Sequence, residues 1–276
     1  MSIPKGILKA AAAIAILSCS VFGQQLKSPE RDAQSIEILT HVVEAAGGRQ
    51  ALAAVHDITE SGEITFDWAD GVKGPVIIQI LGGKYFRMES ALANGGSIWI
   101  ARDGRGSKMD QQKTVQLSPS SAINLGNLTY PVAHVMAALA DCSTDVSFVD
   151  IEKRNGRSVY RLQVEGQLGL VSQAQLGGPV VKDLLIDALD FNIVGVEDRP
   201  FPARNPEVAS DSRSRASARR HSDSPSRAIE FSDFRLVNGV RVPFSISTTL
   251  LGQQTLSILL NKVRFNSNLS SQDFNH

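Results

Sequence analysis

The side chains with which this sequence could do metal or acid–base chemistry are five histidines and a few close carboxylates. The histidines are His41, His56, His134, His221 and His276, and the carboxylates are Asp67 with Asp70 and Asp187 with Asp190. No two histidines stand four residues apart and no HExxH run occurs, so the pattern that presents two imidazoles to zinc from one helix face is missing. His41 and His134 fall in helical stretches, where a solvated or hydrogen-bonded imidazole needs no metal. The aspartate pairs fall at turn signals, where short acidic side chains bond their own backbone; a glycosidase or calcium site could also use carboxylates so placed.

Other chemistries are no better supplied. Gly104–Ser107 and Gly166–Gly169 lack the GxGxxG and GxxxxGK[ST] spacings that let backbone amides cradle a phosphate. Serines are plentiful, but none sits in a GxSxG elbow. Two cysteines, Cys19 and Cys142, cannot make a thiolate zinc cage. The expectation is a protein with no catalytic residue, no metal ligand and no cofactor.

The elements that would position a binding surface begin with an export signal. Lys5 and Lys9 precede the apolar run Ala10–Leu17, which is too short to span a bilayer as a helix. Residues 1–23 read as a cleavable signal peptide with small residues at Val21 and Gly23, which places the mature chain in the periplasm or outside the cell. Ile16-Leu17-Ser18-Cys19 also loosely resembles a lipobox, which would instead tether the protein to the outer membrane through a lipidated Cys19. Loss of residues 1–23 leaves 26 Lys plus Arg against 28 Asp plus Glu, a balance that recruits neither nucleic acid nor an anionic membrane. It also leaves Cys142 alone, with no intramolecular disulfide possible. Residues 24–276 suffice for one large β domain, with no integral membrane span after cleavage.

Within that domain Ile36, Leu39, Val42, Val43 and Ala46 recur at helical spacing from Ala33 and stop at Gly47-Gly48; a short turn of helix follows over Arg49–Val55. From Ile58 to Gln116 strands alternate with glycine turns spaced too closely for crossover helices, which predicts an antiparallel meander. Val76, Ile78 and Ile80 alternate with Ile77, Gln79 and Leu81, a strand apolar on both faces. Tyr130-Pro131 opens a second helix carrying Val132, Val135, Met136 and Leu139 on one stripe. Strands resume at Val146–Glu152, Ser158–Glu165, Lys182–Ile186 and Phe191–Glu197. Hairpins then run over Ala228–Val237, Val240–Leu250 and Thr255–Phe265, and Pro243 demands an edge, a bulge or an interrupted ladder. Between them, residues 199–226 hold four prolines, six arginines and three acids without apolar periodicity, and read as a disordered basic Ser/Arg-rich loop.

The closing segment Ile229–Phe244, with Asn238-Gly239-Val240 and Pro243-Phe244, then Val263-Arg264-Phe265-Asn266 and Asp273-Phe274, resembles the ending of the bacterial outer-membrane lipoprotein carrier superfamily. The opening helix, Gly47-Gly48, Ala51-Leu52 and Ser61-Gly62 resemble periplasmic relatives of the same group, and together these motifs cover about a third of the chain. The resemblance implies an α+β, mainly β fold: an incomplete antiparallel β-barrel or strongly curved sheet of about eleven strands, closed by amphipathic helices. It also implies an apolar cavity holding a lipid or acyl-chain ligand. Gly166–Val181 and Arg199–Ser226 depart from a compact carrier and put lipoprotein transfer in question. On this reading the candidate lining is Val132, Val135, Met136 and Leu139 on the helical side and Phe86, Trp99 and Ile100 on the sheet side. The expected function is non-enzymatic lipid binding or carriage. The alternatives are a sensing or scaffolding module for an envelope protein partner, and an envelope hydrolase.

Overall fold

The computed structural model describes residues 31–67, 71–93, 95–102, 105–111, 113–118, 121–122, 125, 128–166, 180–198 and 227–275. Residues 1–23, read above as an export signal and carrying Cys19, most of Gly166–Val181 and residues 199–226, read as a basic loop, lie outside the described residues.

Two helices come first, α1 (Ala33–Ala45) and α2 (Gly48–Ala53). Six strands follow: β1 (Asp57–Phe66), β2 (Val72–Leu81), β3 (Tyr85–Leu92), β4 (Gly95–Arg102), β5 (Arg105–Asp110) and β6 (Lys113–Leu117). Helix α3 (Val132–Ala140) precedes β7 (Asp145–Arg154), β8 (Arg157–Gly166), β9 (Val180–Asp187), β10 (Ile193–Asp198), β11 (Arg227–Val237), β12 (Val240–Leu250) and β13 (Gln253–Phe265). All thirteen strands join one curved, unclosed antiparallel sheet in the order β6-β5-β4-β3-β2-β1-β13-β12-β11-β10-β9-β8-β7. The count exceeds the implied eleven, and it includes a polar β5–β6 hairpin that carries little apolar signal. The ends of the order, β6 and β7, are joined in sequence by the segment carrying α3, so the connection between the two sheet edges brings a helix with it.

The hairpin turns follow local chemistry. Asn155 (φ 50°) with Gly156 (φ 79°), and Asn238 (φ 47°) with Gly239 (φ 82°), supply the paired positive φ angles of tight two-residue turns. Pro243 pairs with Phe234 of β11 but lies beyond the β12–β13 ladder, which begins at Ser245. Its missing N–H therefore leaves no rung broken on that side.

The core lies on the face covered by the helices. Asp32 caps α1 by accepting from the N–H groups of Gln34 and Ser35 and from the Ser35 hydroxyl at 2.7 Å. Ile38, Leu39, Val42 and Val43 turn inward and pack with α3 and the sheet. At the end of α1, the Arg241 N–H donates to the Ala46 carbonyl at 2.9 Å, and the Gly47 backbone comes so close that a Cβ would stand 2.3 Å from the Gly239 carbonyl oxygen. Only glycine fits there.

β2 is apolar on both faces, as its sequence reads, but only one is covered: Val76 and Ile78 are buried, whereas Ile77 is 47% exposed on the outer side. One expectation needs correction. Phe191 is not a strand residue. It sits in the β9–β10 turn at φ 55°, with its ring 4.8 Å from that of His41 on α1.

Candidate functional site

Helix α3 opens on a proline and is held at its far end by Arg31. Pro131, at φ −64°, occupies the N-cap position, where a missing N–H costs nothing. At the other end the Arg31 guanidinium donates to the carbonyls of Ala138, Asp141 and Thr144 at 3.1, 2.7 and 3.3 Å, placing a cation where the helix dipole is negative. Val132, Val135 and Ala138 turn into the core.

The side of α3 that carries Ala133, Met136 and Ala137 borders an open pocket of about 520 Å³. Leu52 and Val55 from the α2 region form a second wall, and Ile58 of β1 with Ile80 of β2 form the sheet wall. Polar groups line it too: the exposed His56 and Lys84, the half-buried Asp141 and the buried His134. The sheet wall is one rung of the ladder, since Ile58 pairs with Ile80 and Ile80 with Phe86.

The next inward rung holds Glu60, paired with Ile78, Met88 lying beyond, and with Val263 of β13 on its other side. Glu60 is 1% exposed, and neither carboxyl oxygen has a hydrogen-bond partner. The hydroxyls of Thr129 and Tyr130, at the approach to α3, are equally buried and unpartnered. Burial pushes the Glu60 carboxyl up to about 8; Thr129 stands close enough to pull it slightly back without a well-formed hydrogen bond. The Tyr130 phenol is pushed up by burial and by the nearby Glu60 charge. Tyr130 is thus shared: it lines the pocket and it feels Glu60.

The residues chosen from sequence divide. Val132 and Met136 line the pocket. Val135 is fully buried in the core and Leu139 packs against it partly exposed. Phe86, 1% exposed, sits on the rung of Ile58 and Ile80 beneath the surface. Trp99 faces inward opposite Met88, with its indole N–H on the Ser97 hydroxyl at 3.0 Å and the Lys108 ammonium 5.0 Å from its ring, away from this pocket. Ile100, one residue on, points to the opposite face. There a closing 3-10 turn (Ser271–Phe274) lies over the sheet: the Phe274 ring is 5.5 Å from that of Tyr85, and Arg87 donates to the carbonyls of Asp273 and Asn275. Sequence reasoning missed Glu60. The signal that could have found it is its spacing of two from Ile58, which puts both on one face.

A larger depression of about 860 Å³ includes outer-face residues and is bordered by Arg154, Arg157, Asp187 and Asp190. Those groups are already engaged, with Arg157 on Asp187 at 3.0 Å and Arg154 on Glu152 and Glu197. Val159, Leu185, Val194, Phe231, Phe234 and Leu236 also line it, so ion pairs and apolar side chains share this surface. Asp187 and Asp190, the close carboxylates of the sequence, serve their turn: Asp187 accepts from the N–H groups of Leu189 and Asp190.

No family model and no curated protein sequence matches the chain. Solved structures do. An outer membrane lipoprotein-sorting protein domain from Vibrio parahaemolyticus aligns at TM-score 0.50 and 11% identity, covering 88% of this chain and 96% of that one. A DUF1329 family protein from Desulfovibrio piger aligns at TM-score 0.51 and 11% identity, covering 90% and 98%. What is shared at such identities is the fold, and it is the incomplete, helix-covered β-barrel that the closing segment of the sequence implies.

Proposed function

We propose that this protein is a non-enzymatic binding protein of the cell envelope that shelters an acyl chain or another apolar molecule between α3 and the β1–β2 wall. The observation that carries the reading is the pocket of about 520 Å³ with walls of Leu52, Val55, Ile58, Ile80, Val132 and Met136, a size within the range of small-molecule sites. Each methylene buried there contributes about 0.8 kcal/mol before ordering costs. The shared fold with a lipoprotein-sorting domain supports the reading, as does the export signal read at residues 1–23, with residues 24–276 as one domain.

Ala133 borders the pocket, so Ala133→Trp should fill it. Delipidated protein is titrated with 1-anilinonaphthalene-8-sulfonate, and lipid that copurifies is sought by mass spectrometry. Binding that weakens about tenfold in Ala133→Trp supports the proposal. Protein that binds no probe and carries no lipid ends it.

A second reading, a module that docks an envelope protein, draws on the sheet edges. Val115 on β6 and Val149 and Ile151 on β7 are exposed, and an unpaired edge can accept an added strand. Crosslinking to a stable partner at these positions, with no probe bound in the pocket, would favour it.

A further inference from the structure

Resting on the pocket reading above, we propose that the ligand is a single-chain amphiphile, with one acyl chain of about sixteen carbons in the pocket and its head left outside beside His56 and Lys84.

The walls bound the pocket. Ile58 and Ile80, its sheet wall, stand on a packed interior: Ile78, Phe86 and Met88, on the same and the adjoining rung, are buried and belong to one hydrophobic core. On the helical side Tyr130 and Val132 close it. The crevice that these two also border, toward Val42 and Phe191, has about 20 Å³, less room than one methylene needs. Neither wall lets the pocket continue into the barrel.

The room that is left decides the number of chains. A methylene takes about the space of a water molecule, about 30 Å³ in the liquid. Sixteen of them need about 480 Å³, nearly the whole of a pocket of about 520 Å³, and two such chains need about twice that. The second chain of a diacyl lipid would lie in water on the protein surface, without the gain of up to about fourfold in affinity that each buried carbon brings. Ala133 and Ala137, the small residues of α3 that border the pocket, leave width for one chain, and Met136 adjusts to its bends. The exposed residues of the lining, His56 and Lys84, mark the side on which the head meets water.

The test begins with the delipidated mature chain and 1-anilinonaphthalene-8-sulfonate, displaced by saturated fatty acids of eight to twenty carbons below their micelle concentrations. Affinity should climb by up to about fourfold per carbon and level off near sixteen. Ala137→Phe narrows the pocket from an exposed position without touching the core, and should level off about four carbons earlier. The protein is also incubated with equal amounts of hexadecanoate, 1-hexadecanoyl-lysophosphatidylcholine and dihexadecanoylphosphatidylcholine, freed of unbound lipid by gel filtration and weighed by native mass spectrometry. A mass increase of one single-chain lipid supports the proposal, and which of the two is retained separates a free fatty acid from a lysolipid as the source of the chain. Retention of the two-chain lipid, or of two single-chain lipids at once, overturns it while leaving the pocket reading intact. So does an affinity that still climbs at twenty carbons, or a plateau that Ala137→Phe leaves in place. If the wild-type protein binds neither the reporter nor any of the lipids, the pocket reading itself falls.

Discussion

Arg161 on β8 donates to Glu197 on β10 at 2.6 Å, reaching across the intervening strand β9, whose Asp183 accepts from the same nitrogen at 2.7 Å. Its second terminal nitrogen meets Glu152 on β7 at 2.8 Å. One guanidinium thus ties four neighbouring strands together on the side of the sheet away from the helices. Its own side chain is 10% exposed, and those of Glu197 and Asp183 are 6% and 0% exposed.

Removing that cation takes a charged partner from the buried Asp183 and Glu197, while Arg154 still meets Glu197 and Glu152. Arg161→Met should therefore cost about 3 kcal/mol of stability, more than any exposed pair would contribute. Because the group is shielded from solvent, the loss measured by urea denaturation should be nearly the same at 0.1 and 1 M salt. A cost below about 1 kcal/mol would show that the acids reach water once the arginine is gone.

Glu60 makes stability depend on pH in a definite direction. Burial raises its folded-state value to about 8, above that of the unfolded chain, so the folded protein binds the extra proton. Its contribution is fully present below the unfolded value, and is lost as pH rises toward and through about 8. Glu60→Gln, which cannot ionise, should remove that decline, and should be more stable than wild type by on the order of 2 kcal/mol at pH 9 while differing little at pH 4.5. Thermal unfolding of both proteins across this range checks the sign, and parallel curves would refute it.

The outer-face cover is testable separately. Phe274 is 1% exposed against Tyr85, and the 3-10 turn that carries it lies by Ile100 and Arg87. Phe274→Ala should cost about 3 kcal/mol through the lost aromatic burial. Hydrogen exchange should quicken first along β3 and β4, and an unchanged exchange pattern there would mean that the turn does not protect the sheet.

Much of the architecture was written in local signals. Asn155-Gly156 and Asn238-Gly239 announced their hairpins because few residue pairs tolerate two successive positive φ angles. The α1 stripe of Leu39, Val42 and Val43 announced a helix face, and all three are buried. The β5–β6 hairpin was less legible because Arg105–Asp110 and Lys113–Leu117 offer little apolar alternation to read. Of the residues chosen from sequence, Val132 and Met136 on the helical side border the pocket, and none of those chosen on the sheet does. Trp99 and Ile100 were chosen together, but adjacent strand residues face opposite ways, and which one faces inward depends on a register that no short segment specifies. Glu60 escaped notice because a glutamate between Thr59 and Ser61 reads as solvent-facing until its inward neighbours Ile58 and Ile78 are known.

The join between β1 and β13 has a consequence for how the molecule comes into being. Ile58 finds its partner in Phe265, and Ile64 in Ile258, so the middle of the sheet is closed by a strand made long after the one it must meet. A chain delivered amino end first holds β1 through β6 as a ribbon whose β1 edge stays unpaired until residues 253–265 arrive. Distant pairing of this kind slows folding, and an open edge invites neighbouring chains to dock in its place. By that reasoning, the interval before β13 arrives is when the open β1 edge leaves newly made copies most prone to dock on one another.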